Sequence, residues 1–249
     1  PAQASYGGGT YDAFIAKFNA AGARLWGTYF GGNSVEASYA IAISNTGAIY
    51  ISGDSFSTSG VASTGAHQTS YGGGIDDAFL ARFDANGQRV WSTYYGGILH
   101  DISYTITTDQ NGNVILGGHS ESPNNIATPG SLMDTYIGGF EVFVAKFSPA
   151  GVLQWGTYYG DVADEEAWGV ACDNAGFIYC TGFTASTSNF STTGTHQVVH
   201  GGGTNDAYVF KLSPGGNALS WCTYYGGAGL DVGTGLLVFP GNEIILCGN

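Results

Sequence analysis

The stretch WSTYYGG, Trp91–Gly97, decides the fold because it occurs four times in the chain with small changes. The other copies are WGTYFGG from Trp26, WGTYYGD from Trp155 and WCTYYGG from Trp221. Successive tryptophans are 65, 64 and 66 residues apart, which is the signature of an internal structural repeat. The repeat covers the whole chain, with units at approximately 1–66, 67–131, 132–195 and 196–249.

Each unit contains four short runs of residues that favour β-strands. The first unit contains YDAFIAKF, the tryptophan run, YAIAIS and AIYISG, and turns such as DANG, SPAG and DNAG separate the runs throughout the chain. This pattern predicts one four-stranded antiparallel sheet per unit. Such a sheet, apolar on both faces, needs a similar sheet against each face. We therefore predict an all-β fold, a β-propeller of four-stranded blades; a solenoid or an array of β-sandwiches is the alternative.

The order of the strands leaves two explanations for the number of blades. By analogy with known propellers, YAIAIS is the innermost strand A, AIYISG is strand B, DAFIAKF is strand C and WGTYFGG is the outermost strand D. The chain then begins at strand C and ends just after strand B. Either the first two strands complete the last two in a closed ring of four blades, or the chain is part of a longer propeller. We expect the second, because the last unit stops where the other units continue.

Composition and charge exclude several classes of function. The 249 residues are 43% hydrophobic and include 42 glycines and 16 tyrosines, with only 10% charged residues, a composition typical of β structure with many turns. The net charge of −13 repels phosphate backbones and anionic lipid surfaces, so we expect no nucleic-acid partner. No apolar run approaches the roughly 20 residues that span a bilayer, so we expect no membrane insertion.

The four cysteines do not recur at one repeat position, and the first two units contain none. A hairpin in CDNAGFIYC would place Cys172 opposite Phe177 rather than Cys180, out of register for a disulfide. We predict that the cysteines act as small buried hydrophobic residues.

The repeat resembles a known family. GGGIDDAFLARFDANGQRVWSTYYGG (72–97), GNVILGG (112–118) and the tail TGAHQ (64–68) resemble the SBBP family of β-propeller repeats, and the similarity extends over all four units. The resemblance implies a module of a secreted or cell-surface bacterial protein, notably of the Bacteroidetes, with blades assembled into seven-bladed rings, and possible cargo of type IX secretion. It implies no catalytic residue. Unit three departs from the pattern, with Glu141 in place of Asp and TPGSLM in place of TGAHQ.

Three sets of residues occupy fixed repeat positions. The tryptophans, repeated in strand D, indicate packing between blades rather than a belt for stacking sugars. In strand C, an acid precedes a basic residue by five positions, which indicates a structural role in which the basic stem crosses apolar surface to reach a carboxylate or a carbonyl. The pairs are Asp12 and Lys17, Asp77 and Arg82, Glu141 and Lys146, and Asp206 and Lys211.

The third set is an acid ten residues after each tryptophan, in the connection from strand D to the next strand A. These loop acids are Glu36, Asp101, Glu165 and Asp231. Around a ring they would form a collar able to attract a cation or a cationic ligand; the alternative is that each accepts backbone N–H bonds and fixes its loop. Unit three adds Asp161, Asp164 and Glu166, which makes DVADEE the candidate for calcium, although no EF-hand spacing supports it. We expect no other cofactor.

The long connections from strand B to strand C vary most between units, so partner binding is expected on their face of the molecule. His67 and His196 share one position in these loops, whereas His100, His119 and His200 stand alone. We expect solvated or hydrogen-bonded loop histidines, because nothing pairs them at metal-ligand spacing.

These observations favour a non-catalytic binding or structural scaffold with a protein or glycan partner, adhesin-like or secretion cargo. One rival is a glycosidase or lyase that uses carboxylates at the channel mouth, which needs one pair of unequal pKa, whereas the acids here are evenly distributed. The other rival is a lectin, which the abundance of tyrosine and tryptophan allows.

Overall fold

The computed structural model describes residues 2–249, which form strands and loops without a helix. The sixteen strands are β1 (Ala13–Phe18), β2 (Arg24–Phe30), β3 (Glu36–Ile43), β4 (Ile49–Ser55), β5 (Asp77–Phe83), β6 (Arg89–Tyr95), β7 (Asp101–Thr108), β8 (Val114–Ser120), β9 (Glu141–Phe147), β10 (Leu153–Tyr159), β11 (Glu165–Cys172), β12 (Ile178–Thr184), β13 (Asp206–Leu212), β14 (Leu219–Tyr225), β15 (Gly233–Val238) and β16 (Ile244–Gly248). In the described part of the chain, no helix is long and apolar enough to cross a membrane.

The strands form three complete antiparallel sheets and two half-sheets. The complete sheets are β3–β6, β7–β10 and β11–β14, each in the order A, B, C, D, and they are flanked by the pairs β1–β2 and β15–β16. Each sheet therefore begins in one repeat and ends in the next. The predicted all-β class and the four-stranded antiparallel sheets are confirmed. Strands β1 and β16 belong to separate sheets. They do not pair with each other, as they would in a closed ring of four blades.

The sheets stack face to face, as predicted from their two apolar faces. One buried cluster combines Tyr50 and Leu80 of the first complete sheet with Leu116 and Phe143 of the second. Similar clusters join the first half-sheet to the first complete sheet and the second complete sheet to the third. The A strands of consecutive sheets, β3, β7, β11 and β15, contact one another in series, which is the position of inner strands in a propeller-like stack.

The repeated tryptophans connect each sheet to the next. The Trp91 indole N–H donates a hydrogen bond of 3.0 Å to the carbonyl of Pro149, in the turn between strands C and D of the following sheet. Trp26 and Trp155 make the equivalent bonds to Ala85 and Pro214. The half-sheet β15–β16 has no C–D turn to offer Trp221. The tryptophans thus lie where packing between blades was predicted.

The strand-C basic residues find the two kinds of partner that were predicted. The guanidinium of Arg82 donates to the Pro149 carbonyl of the next sheet at 2.8 Å, and Lys17 donates to Ala85 in the same way. Lys146 lies 2.9 Å from the carboxylate of Asp109 in its own sheet, and Lys211 similarly pairs with a carboxylate of its own. The charged end of each of these four side chains therefore helps to hold a turn between two strands.

All four cysteines are unpaired. Cys172 lies opposite Ile178, so the predicted register was wrong by one residue because the turn is one residue longer than expected. Cys180 and Cys222 are buried, as predicted, whereas Cys172 is half-buried and Cys247 is exposed.

Candidate functional site

The loop acids lie inside the protein at the start of each strand A. Glu36, Asp101 and Glu165 are the first residues of β3, β7 and β11 and have no exposed surface. Asp101 accepts hydrogen bonds from the amide of Gly97 at 2.8 Å and from the hydroxyls of Ser120 and Ser122. These carboxylates therefore hold the loop that enters each blade. This is the second of the two roles considered for the loop acids, rather than an exposed ring of acids that attracts a cation.

Glu36 and Glu165 repeat this pattern, and Asp231 keeps its amide bond to Gly227. Asp231 precedes β15 instead of starting it.

The strand-C acids sit opposite the loop acids across one glycine. Asp77 accepts bonds from the amide of Gly72 at 2.6 Å and from the side chain of Gln68 at 3.0 Å, and Gln68 in turn accepts from the Gly96 amide. A Cβ on Gly96 would lie 2.7 Å from the carboxyl carbon of Asp77 and 2.8 Å from an oxygen of Asp101. Glycine is therefore required between the two carboxylates, and units one and four repeat the arrangement through Gln3 and Gln197.

Burial raises the pKa of both acids in the pair Asp77 and Asp101 and in the pair Glu141 and Glu165. The pKa of Asp77 rises to about 7, first because burial removes water and then because Asp101 is close. The pKa of Glu141 and of Glu165 also rises to about 7, again mainly through burial. One oxygen of each strand-C acid is buried without a hydrogen-bond partner. The four acids of these two pairs therefore favour the protonated form more than ordinary acids do.

The extra acids of unit three do not converge. Asp161 accepts a bond from Asn189, Asp164 accepts from the amide of Phe140, and Glu166 accepts from the indole N–H of Trp168. Within residues 2–249, no group of three His, Cys, Asp or Glu side chains has a geometry that could hold a metal ion. The calcium hypothesis for DVADEE therefore has no geometric support in the described residues.

A different site lies on the inner strands, where each strand A contains a β-bulge. The register shifts at Tyr39, Tyr104, Trp168 and Thr234, one in each of β3, β7, β11 and β15. Bulges redirect a side chain and are frequent beside functional sites. The aromatic rings at the first three bulges, the bulge aromatics, form a continuous row with centroid distances of 5.4 Å from Tyr39 to Tyr104 and 6.2 Å from Tyr104 to Trp168. Tyr39 is 50% exposed and Trp168 38%.

Two histidines lie beside this row. His119, at the end of β8, is only 2% exposed and stacks on Phe140 at 4.5 Å. Its ring centroid is 4.9 Å from that of His100 and 5.6 Å from that of Tyr104. Its Nδ1 lies 3.5 Å from an oxygen of Glu166, yet neither ring nitrogen forms a hydrogen bond. The expectation of a solvated loop histidine was therefore wrong for His119, which a strand carries into the interior.

The carboxyl groups of Asp54 and Asp76 lie in the same cluster as the two histidines and the bulge aromatics. The Nδ1 of His100 lies 2.5 Å from an oxygen of Asp76, and this hydrogen bond raises the pKa of His100. Burial, together with the nearby Asp76, raises the pKa of Asp54 to about 7. Burial lowers the pKa of His119 to about 3, with a contribution from His100. We call the bulge aromatics together with Asp54, Asp76, His100, His119 and Glu166 the inner-strand site.

The inner-strand site has negative charge and no strong cation. All six Lys and Arg residues of the chain belong to strands C and D, away from the bulges of strand A. Only His100 and His119 could carry a positive charge there, and burial holds His119 neutral. The arrangement can therefore offer aromatic faces and carboxylate oxygens to a ligand.

Sequence reasoning missed most of this site because it searched for chemistry at repeated positions. In the four units the residue before the strand-C acid is Tyr11, Asp76, Phe140 and Asn205, and the residue before the loop acid is Val35, His100, Asp164 and Leu230. The repeated residues build the blade, whereas the variable Asp76, His100 and Phe140 meet beside the bulges. Positions that vary within an otherwise strict repeat were the available signal.

Comparison with known proteins gives two distant similarities. No family model matches the chain. It is 25% identical over 143 residues to the regulatory protein FlaEY of Caulobacter vibrioides, which is 57% of this chain and 15% of that protein. It is also 25% identical over 124 residues to an uncharacterized WD repeat-containing protein of Acanthamoeba polyphaga mimivirus, 47% of this chain and 9% of that one. The chain thus spans a small part of each relative, and four-stranded propeller blades are what WD repeats form.

Proposed function

We propose that the chain is a non-catalytic ligand-binding module of a larger β-propeller, and that the inner-strand site binds the partner. One observation carries the proposal: side chains that differ from unit to unit converge beside the bulge aromatics, on a scaffold whose other repeated residues serve packing or loops. Variable groups on a rigid frame are how recognition surfaces are built. The similarity to a WD-repeat protein supports the same reading.

We further propose that the parent protein is a secreted or cell-surface bacterial protein of the SBBP type, with more blades than this chain contains and possible passage through type IX secretion. The free faces of the two half-sheets support additional blades, because Phe14 of β1 is 72% exposed and Leu237 of β15 is also exposed. The cavity that Phe14 and Tyr29 border lies on this open face, so we assign it to blade packing rather than to a ligand.

The test is binding to immobilised glycan and peptide arrays by the wild-type chain and by three variants, Trp168→Leu, Tyr104→Leu and Tyr225→Leu. Trp168→Leu removes an exposed ring from the inner-strand site, and Tyr225→Leu removes a similarly exposed ring from the end of β14. We expect hits that Trp168→Leu abolishes and Tyr225→Leu preserves. Hits on glycans alone would identify a lectin. Hits that survive both Trp168→Leu and Tyr104→Leu, or a complete absence of hits, would contradict the proposal.

A catalytic alternative is favoured by one specific observation, the pair formed by Asp54 and Asp76. A carboxyl with a pKa of about 7 beside a second carboxylate bound to a histidine is the kind of unequal pair that acid–base chemistry uses. Glycoside hydrolysis or lysis of a polysaccharide that Asp54→Asn abolishes, with binding retained, would replace the binding module by an enzyme.

A further inference from the structure

We propose that the inner-strand site recognises an organic cation, an alkylammonium or guanidinium group such as the end of a lysine or arginine side chain. This inference rests on the proposed function and specifies its ligand. Its basis is a row of aromatic faces beside carboxyl groups that have no Lys or Arg partner.

The bulge aromatics offer exposed ring faces on which a cation can bind. Tyr39, Tyr104 and Trp168 line up across three adjacent sheets and remain partly exposed. A cation over the face of a tryptophan or tyrosine is attracted by the negative charge of the ring, and the attraction grows when water is excluded. Three rings in a row provide such faces without requiring a closed pocket.

Acidic side chains surround the bulge aromatics. Glu166 holds the Trp168 indole N–H through one oxygen at 2.7 Å, and its side chain is 12% exposed, so its carboxylate sits at the base of the exposed ring. Asp54 and Asp76 lie deeper, and an oxygen of Asp54 is buried without a partner. The exposed Asp164 and the half-buried Glu121 add negative charge around the same end of the strands. With no Lys or Arg among them, these groups attract a cation and repel an anion.

The two ring nitrogens of His119 are buried without hydrogen-bond partners. A buried polar group without a partner costs free energy, and such groups in native proteins call for an explanation. Here the side chain lies against His100, Tyr104 and Glu166, and a neutral imidazole nitrogen can accept a bond from an ammonium or guanidinium donor. A cationic ligand would therefore satisfy this group, whereas a metal ion would lack the third ligand that the geometry requires.

The experiment measures affinity by calorimetry and by NMR titration for three peptides that are N-acetylated and C-amidated, so that only the central side chain can carry charge: Gly-Gly-Lys-Gly-Gly, Gly-Gly-Arg-Gly-Gly and the neutral Gly-Gly-norleucine-Gly-Gly. We expect the cationic peptides to bind at least about tenfold more tightly than the norleucine peptide, and more weakly as salt is raised. The butylammonium ion alone is the second probe. Equal binding of the free ion would point to a small amine as ligand, and binding of the peptides alone would point to a protein side chain.

The variants separate the inference from simple loss of fold. Glu166→Gln and Asp54→Asn keep the shape of the side chains and should each weaken binding of the lysine peptide several-fold. Trp168→Leu should abolish it. Glu243→Gln, an exposed change distant from the site, is the matched control and should bind like the wild type. Circular dichroism and the melting temperature establish that each variant is folded.

Two results would overturn the inference. If the norleucine and lysine peptides bind equally, or if Glu166→Gln and Asp54→Asn leave the affinity unchanged, the ligand is not recognised as a cation. If no cation binds while a neutral glycan binds in a manner that Trp168→Leu abolishes, the inference fails but the proposed binding function stands. Absence of binding to every probe defeats both.

Discussion

At the scale of single residues, the contact between Trp91 and Gly151 holds adjacent sheets together. Gly151 lies in the C–D turn with a φ of 83°, and a Cβ there would lie 2.9 Å from the Trp91 ring. The same glycine occurs at 87 and 216, under Trp26 and Trp155. The ring thus requires a glycine in the next blade as well as a carbonyl acceptor.

Gly151→Ala should therefore cost more than its backbone conformation alone explains. A left-handed φ costs about 1–2 kcal/mol for alanine, and forcing a methyl group against the indole adds about 1–3 kcal/mol. Gly22 occupies the same repeat position with a φ of 79° and has no atom within 4 Å of its Cβ site, so Gly22→Ala should show only the first cost. Gly47, also with open space and a positive φ, supplies a control inside a complete sheet. Urea unfolding measures all three.

Trp91→Ala provides the complementary measurement. We expect it to destabilise the fold by about 2–4 kcal/mol, below the full cost for a completely buried aromatic residue, because the ring is half-buried. In the double variant, Gly151→Ala should lose the part of its cost that comes from the clash. Additive costs in this double-mutant cycle, or a stable Trp91→Ala protein that has lost ligand binding, would show that the tryptophan does not act through packing.

At the scale of elements, the loop before β9 explains why unit three departs from the repeat. Its loop from Met133 to Glu141 is one residue shorter than the loop from Gln68 to Asp77. The longer acid compensates, because Glu141 accepts hydrogen bonds from the amides of Ile137 and Gly138 without help from a glutamine. The shorter loop and the replacement of Asp by Glu141 both depart from the repeat pattern. Together they preserve the contact between the acid and the loop amides.

Glu141→Asp should destabilise the protein by about 1 kcal/mol, because the partly buried amides of Ile137 and Gly138 would lose their acceptor. The shorter side chain would not reach Ile137 and Gly138. Glu243→Asp makes the same chemical change at an exposed position and should leave the free energy of unfolding within about 0.5 kcal/mol of the wild type. Chemical denaturation compares them, and equal stability of the two variants would refute the compensation.

The half-sheets should be the least stable elements. Strands β1, β2, β15 and β16 pack on one face only and leave Phe14, Phe18 and Ile245 exposed. Local opening is easiest where few apolar contacts are buried. In hydrogen exchange, the amides of β1 should therefore exchange much faster than those of β5, which has the corresponding sequence. Equal protection at low protein concentration would mean that another surface covers these faces in solution.

At the scale of the whole molecule, the sequence predicted the architecture far better than the site. A period of 64 to 66 residues and the pattern of turns determine four strands per unit, because each strand must alternate and each sheet must be covered. The sequence also indicated that Trp91 and Arg82 are structural, since strict repetition marks packing. It could not place His119 beside Glu166, because these residues are 47 positions apart and meet only where two sheets pack and a bulge turns a strand.

The buried acids make a prediction for the stability of the whole fold against pH. In the folded protein Asp54, Asp77, Glu141 and Glu165 have pKa values of about 7, whereas in the unfolded chain they return to about 4. The folded state therefore binds more protons than the unfolded state between these values, and its stability falls as the pH rises through 7. Buried His119, with a pKa of about 3, acts in the opposite direction, but mainly below the ordinary histidine pKa of about 6.5.

Comparison of pH 6.5 with pH 8 consequently tests the carboxyls together with His100, whose raised pKa acts in the same direction. We expect the melting temperature to be lower at pH 8 by at least about 2–4 °C, the shift that corresponds to about 1 kcal/mol in a chain of this size. Asp77→Asn, which cannot ionise, should reduce this difference, whereas Glu243→Gln at an exposed position should leave it unchanged. Differential scanning calorimetry at matched ionic strength provides the measurement. A melting temperature that is constant or rises from pH 6.5 to pH 8 would mean that these acids are ionised in the folded protein, and the paired carboxylates would then need a bound cation or water to hold their charge.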